Sequence, residues 1–240
     1  MKISMLSTAA AIALVGVASS ALGNTILTFD EGLGMPNAEG SAVPGYAQIG
    51  SSYQSEGVVF SSGGGYVALV NHEPTQPSAT PSYPNIIAGT DAGGTLNYAA
   101  SITATFVVPG TSYVGATDFV KVLGDLDPAG HGGATLTAYD AAGNLLGSVF
   151  SADCCALGDG PILSFSHAGI HTVVISEDNN SIGYDNFQFD TPAAVPDPSI
   201  YFLMTLGTAI LGVSLRKRRQ KAKSIVKLAL HTEVYAPAHS

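Results

Sequence analysis

Between positions 25 and 189 apolar residues alternate with polar ones in short runs, each broken within a few residues by Gly, Pro, Asn or Asp. A period of two with frequent turn residues selects sheet over helix, and no helical period of useful length appears before Ile200. Strands are predicted over 25–29, 57–60, 66–70, 101–108, 115–123, 134–139, 145–150, 162–165, 172–176 and 182–189. The second and third are expected to pair across the turn at 61–65. In the fourth, Ile102, Ala104, Phe106 and Val108 share a face. Pro74, Pro77, Pro81 and Pro84 mark 72–84 as a long surface loop. The clearest hairpin is centred on Asp140-Ala141-Ala142-Gly143-Asn144, where Gly143 and Asn144 tolerate positive φ. About ten short strands with regular turn signals predict an all-β fold, an antiparallel sandwich.

The two ends of the chain follow other rules. Lys2, an apolar core over 9–17 and the small-residue site Ala21-Leu22-Gly23 read as a secretory signal peptide, 1–23, cut after Gly23. At the other end, 200–215 carries no charge and is followed by Arg216-Lys217-Arg218-Arg219. As a helix this run spans roughly 24 Å, slightly short of a hydrocarbon core of about 30 Å. Tyr201 at the interface and snorkelling arginines absorb the mismatch. Pro196 and Pro198 delay the helix start, and the four cations stop transfer, leaving 220–240 as a cytoplasmic tail. That tail is read either as a short basic amphipathic helix or as an unstructured extension. A leader at one end and a stop at the other put the domain at 24–191 outside the cytoplasmic membrane.

Val195-Pro196-Asp197-Pro198, the apolar run and the cationic cluster together resemble the PEP-CTERM sorting signal of bacterial exosortase substrates, over 195–219. Asp197 stands where the family has glutamate, and the chain continues past the basic cluster where family members end. The resemblance implies a membrane-anchored precursor, cleaved near the proline motif by an exosortase-type transpeptidase. It also implies residence at the cell surface or in an exopolysaccharide matrix. The central region resembles the jelly-roll sandwiches of exported PEP-CTERM proteins and, more loosely, of carbohydrate-binding modules. Thr28-Phe29-Asp30, Tyr139 to Asn144, and Tyr184-Asp185-Asn186-Phe187-Gln188-Phe189 carry this likeness. It implies a structural calcium between the first and last strands, held by Asp30, Glu31 and Asp185 with backbone carbonyls as hard oxygen ligands.

Charge narrows the partners. The chain carries −9 formally, but seven of its nine cations lie from Arg216 onward and one is Lys2. Lys121 alone faces seventeen acidic residues between Asp30 and Asp197, so the exported part carries −16. Such a surface repels nucleic acid and anionic lipid and suits divalent cations, basic partners or neutral polysaccharide. Adjacent Cys154 and Cys155 have Cα atoms about 3.8 Å apart, below the usual disulfide span. A strained ring, an intermolecular bridge and free thiols all remain open for them. Neither Gly-x-Ser-x-Gly nor His-Glu-x-x-His occurs, and Pro74 breaks the segment after His72-Glu73. Asp125-Leu126-Asp127 opens no EF-hand, since Ala129 and Leu136 occupy ligand positions. His167 and His171 are separated by Gly169 and read as surface or turn residues. Tyr46, Tyr53, Tyr66, Tyr83, Tyr98 and Tyr113 lie in or beside loops, where they either stack on sugars or cap the core. The expectation is a non-enzymatic surface or matrix protein, with a carbohydrate-binding module as the alternative.

Overall fold

The structure, a computed structural model, describes residues 23–71, 82, 84–124, 133–152, 162–177 and 183–195, and Arg216. The chain divides into two units, 1–194 and 195–240. In the first unit thirteen strands are described: β1 Asn24–Leu27, β2 Met35–Pro36, β3 Val58–Ser61, β4 Ala68–Asn71, β5 Asn85–Ala88, β6 Ile102–Phe106 and β7 Gly115–Gly124. They continue with β8 Gly133–Tyr139, β9 Leu145–Ala152, β10 Ile162–Ile170, β11 Thr172–Glu177, β12 Tyr184–Asp190 and β13 Ala193–Ala194. Among the described residues one 3-10 turn, Gly45–Ala47, interrupts them.

Two sheets form. One has eight strands in the order β10-β7-β12-β5-β4-β2, with β1 beside β12 and β13 beside β7; the other runs β3-β6-β11-β8-β9. All pairings are antiparallel except β2 with β4. The alternation in sequence becomes the alternation of burial. In β6 Ile102, Ala104 and Phe106 point inward while Thr103 and Thr105 point out, and β8 and β11 repeat the pattern. Hydrophobic burial on the facing sides then stabilises the sandwich. Rings from both sheets meet in it. Phe60 on β3 meets Phe187 on β12 at 5.3 Å between centroids, edge to face. Phe106 on β6 meets Phe189 at 5.3 Å, and Phe29 joins Tyr53 at 5.3 Å.

The predicted hairpin forms. Asp140 N–H donates to Asn144 O at 3.0 Å, Gly143 has φ 80°, and Asp140 Oδ1 accepts from Ala142 and Asn144 N–H. Other expectations need correction. Segments 57–60 and 66–70 are not a pair: β3 pairs β6 and β4 pairs β5, in different sheets. Val108 lies beyond the end of β6. Strands β2, β5 and β13 were not predicted. Among the described residues no helix is long and apolar enough to cross a membrane; the signal peptide and the run at 200–215 lie outside those residues.

Candidate functional site

The first and last long strands bring two carboxylates to one junction. β1 runs antiparallel to β12 from Asn24 opposite Asp190 to Leu27 opposite Phe187. Continuing that geometry, the chain after β1 and the start of β12 share one end of the pair. There Asp185 is 0% exposed. Its Oδ2 accepts from Ser82 N at 3.1 Å and Ser82 Oγ at 2.7 Å, and its Oδ1 from Asn186 N at 2.6 Å. Asp30 Oδ1 accepts from Asn85 N at 3.2 Å. The Asn85 side-chain amide donates to Phe29 O at 3.1 Å and Gly32 O at 2.9 Å, tying β5 to the loop after β1.

Three features mark this junction as more than a packed turn. First, burial pushes the Asp185 carboxyl above its ordinary range; the Ser82 and Asn186 hydrogen bonds oppose that, and the Asp30 charge adds to it. Among the described residues no lysine, arginine or histidine acts on it. Second, two buried amide oxygens, Asn85 Oδ1 and Asn186 Oδ1, have no hydrogen-bond partner, a state that costs about 1–3 kcal/mol each. Third, the only described non-glycine residues with positive φ are Phe29 at 60° and Asn186 at 47°, flanking Asp30 and Asp185. At Asp185 the register between β12 and β7 also slips. Such backbone persists where the surroundings over-determine it, commonly at ligand clamps. Ser82 Oγ has one proton for two acceptors, Asp185 Oδ2 and Thr28 O.

The expected trio of Asp30, Glu31 and Asp185 is not gathered as one ligand set: among the described residues no group of three acidic, histidine or cysteine side chains is placed to hold a metal. Glu31 instead hydrogen-bonds Tyr53, whose hydroxyl is held far above its usual pKa by burial first, then by the Glu31 and Glu56 charges. A hard cation here would draw on Asp30, Asp185 and backbone carbonyls. The donors are all oxygen, the chemistry calcium takes. Sequence reasoning missed Ser82, Asn85 and Asn186. The Asp185-Asn186 dipeptide was the available signal, because Asn tolerates left-handed backbone.

The remaining candidates disperse. Tyr113 and Tyr46 stay 74% and 57% exposed. Tyr53 and Tyr66 pack on the core, and Tyr98 is buried with its hydroxyl donating to Asn37 Oδ1 at 2.9 Å. His167 stacks on Phe165 and bonds Ala168 O, while His171 bonds Gly115 O at 2.7 Å; Gly169 at φ 80° breaks the register between them. Val195 and an exposed Arg216 are described. Pro196, Asp197, Pro198, Lys217, Arg218, Arg219, Tyr83, Cys154, Cys155 and the Asp125-Leu126-Asp127 segment lie outside the described residues.

No family model and no curated protein matches this chain. Among solved structures it is similar to the enzymatically active domain of tailspike protein 4 of bacteriophage CBA120, at 11% identity and TM-score 0.27, over 61% of this chain and 21% of that one. It is also similar to the K2 cleaved adhesin domain of Lys-gingipain, at 16% identity and TM-score 0.29, over 69% of this chain and 97% of that one. The chain thus spans about a fifth of the tailspike structure and nearly all of the adhesin domain. At these scores neither likeness carries an argument about function.

Proposed function

We propose that this chain is an exported, non-catalytic jelly-roll protein of the cell surface or exopolysaccharide matrix. An exosortase-type transpeptidase processes it, and a structural calcium closes its sandwich. The leader at 1–23 and the tripartite end at 195–219 support the export. The calcium reading rests on one observation: a fully buried Asp185 carboxylate with no described cation acting on it and the Asp30 charge close enough to raise its pKa. The ion would neutralise the two carboxylates. Asp30 follows β1, Asn85 opens β5 and Asp185 lies in β12, so one ion would tie three strands at one end of the sheet. At the other end, Thr191 N–H and Oγ1 donate to Gly23 O at 3.0 and 2.8 Å. The leader junction and the segment leading to the sorting motif therefore leave the domain side by side, away from the proposed ion.

Protease treatment of intact cells tests the placement. The 24–191 region is expected to be digested without lysis, while a cytoplasmic marker survives. Protection until lysis refutes export.

A further inference from the structure

The outer face of the five-stranded sheet differs from the rest of the exported surface. Register and burial alternation set its side chains in three rows across the strands. One row runs Val59, Thr105, Thr172, Tyr139, Leu145, the last 64% exposed. The next runs Ser61, Thr103, Val174, Thr137, Ser148. The third runs Ser176, Thr135, Phe150. Nine of these thirteen side chains carry a hydroxyl, four are apolar, and none is Asp, Glu, Lys, Arg or His. The corresponding face of the eight-stranded sheet is different: Lys121 opposes Gln188 and Ser164, and Asp190 opposes Asn24. Strand propensity favours Thr on either sheet, so propensity alone does not explain one face free of charge in a region carrying −16.

We infer that this face docks on a neutral, hydroxyl-rich polysaccharide. Neighbouring strands lie about 4.8 Å apart and outward residues of one strand about 6.7 Å apart, so the threonines form a regular grid of methyl and hydroxyl groups. Methyls meet the C–H faces of sugar rings, and hydroxyls exchange hydrogen bonds with sugar hydroxyls. Phe150, 58% exposed on edge strand β9, and Tyr139 supply rings at the margin. The Phe150 ring lies over Gly133, where a Cβ would collide with it. Charge selects the partner. Without cations the face cannot hold nucleic acid or an anionic membrane. The surrounding negative charge repels anionic polymers, so the match is between an uncharged surface and an uncharged ligand. A second copy fits poorly, because protein interfaces deplete serine and concentrate apolar groups at their core.

The inference presumes that the domain meets polysaccharide after export, but its test is independent of export. Full-length protein, purified in a detergent without a sugar headgroup, is sedimented with microcrystalline cellulose, chitin, insoluble β-1,3-glucan and, as the anionic control, calcium-free alginate beads. The wild type is expected to partition onto at least one neutral glycan, equally at 50 and 500 mM salt, and not onto alginate. Thr103→Glu with Thr137→Glu is expected to weaken that partition at least tenfold, while Ser164→Glu on the other sheet stays within twofold. Should the double glutamate variant fail to melt cooperatively, Thr105→Val with Thr172→Val keeps shape and removes two hydroxyls; a loss of threefold or more is expected. No retention on any neutral glycan, retention that falls with salt, or retention unchanged in the variants overturns the inference. Equal loss in Ser164→Glu does so too.

Discussion

Calcium should raise the melting temperature of this protein, and Asp185→Asn should abolish the response. Extracellular calcium modules bind with Kd of about 0.1–1 mM, so 10 mM calcium is about 10–100 times Kd. Binding to the folded state alone then adds about 1.4–2.7 kcal/mol. For a domain of this size each kcal/mol moves the midpoint by about 2–4 °C, giving a shift of about 3–11 °C between calcium and EGTA. Asn at 185 retains an oxygen for Ser82 but turns an amide N–H₂ toward the Asn186 N–H. The metal-free variant therefore leaves one donor unpaired, at about 1–3 kcal/mol, and gains nothing from calcium. The pH dependence has a definite sign. Burial raises the Asp185 pKa in the folded state, so the folded form holds that proton more tightly than the unfolded chain. In EGTA this stability is fully present below the ordinary carboxylate pKa of about 4 and is lost as pH rises through the raised value. Calcium keeps the group ionised and removes that slope. Differential scanning fluorimetry of both proteins from pH 3.5 to 8, with and without calcium, reads all of this. A wild-type midpoint identical in calcium and EGTA, or a full shift in Asp185→Asn, refutes the reasoning.

Three further outcomes follow from the packing. Phe187→Ala empties the centre where Phe60, Phe106 and Phe189 meet and should cost about 3–5 kcal/mol in urea denaturation. Gly57 has φ 102°, and a Cβ there would meet the Pro192 ring at 2.9 Å and Val107 O at 3.0 Å; Gly57→Ala should lose about 1–3 kcal/mol. Tyr53 stays protonated in the folded state while the unfolded chain ionises near pH 10. Its contribution is therefore present at neutral pH and lost as pH rises past 10, and Tyr53→Phe should flatten the alkaline limb of the stability curve.

What the sequence disclosed depended on how local each interaction is. The Asp140–Asn144 turn was readable because its residues close it through their own side chains and one glycine at positive φ. The alternation of β6, β8 and β11 was readable because one face meets water. β5 was not, because Asn85, Ile86, Ile87 and Ala88 are all buried and leave no period to detect; β2 and β13 have two residues each. The pairing expected for 57–60 with 66–70 failed because sequence neighbours here cross between sheets, and only long-range register decides that. The junction was half visible. Asp30 and Asp185 stood out as acids beside the first and last strands, whereas Ser82 and Asn85 reach them from 55 to 103 residues away. Glu31 looked equivalent to Asp30 in sequence, but it hydrogen-bonds Tyr53.

Gly23 and Thr191 lie side by side, and the proposal is that the first follows a removed leader while the second leads to a cleaved anchor. Intact mass and N-terminal sequencing of the protein recovered from the envelope and medium of its own cells test this most directly. The account predicts a chain that starts at Asn24 and lacks the apolar run at 200–215. A cytosolic chain that still begins at Met1 and ends at Ser240 contradicts it.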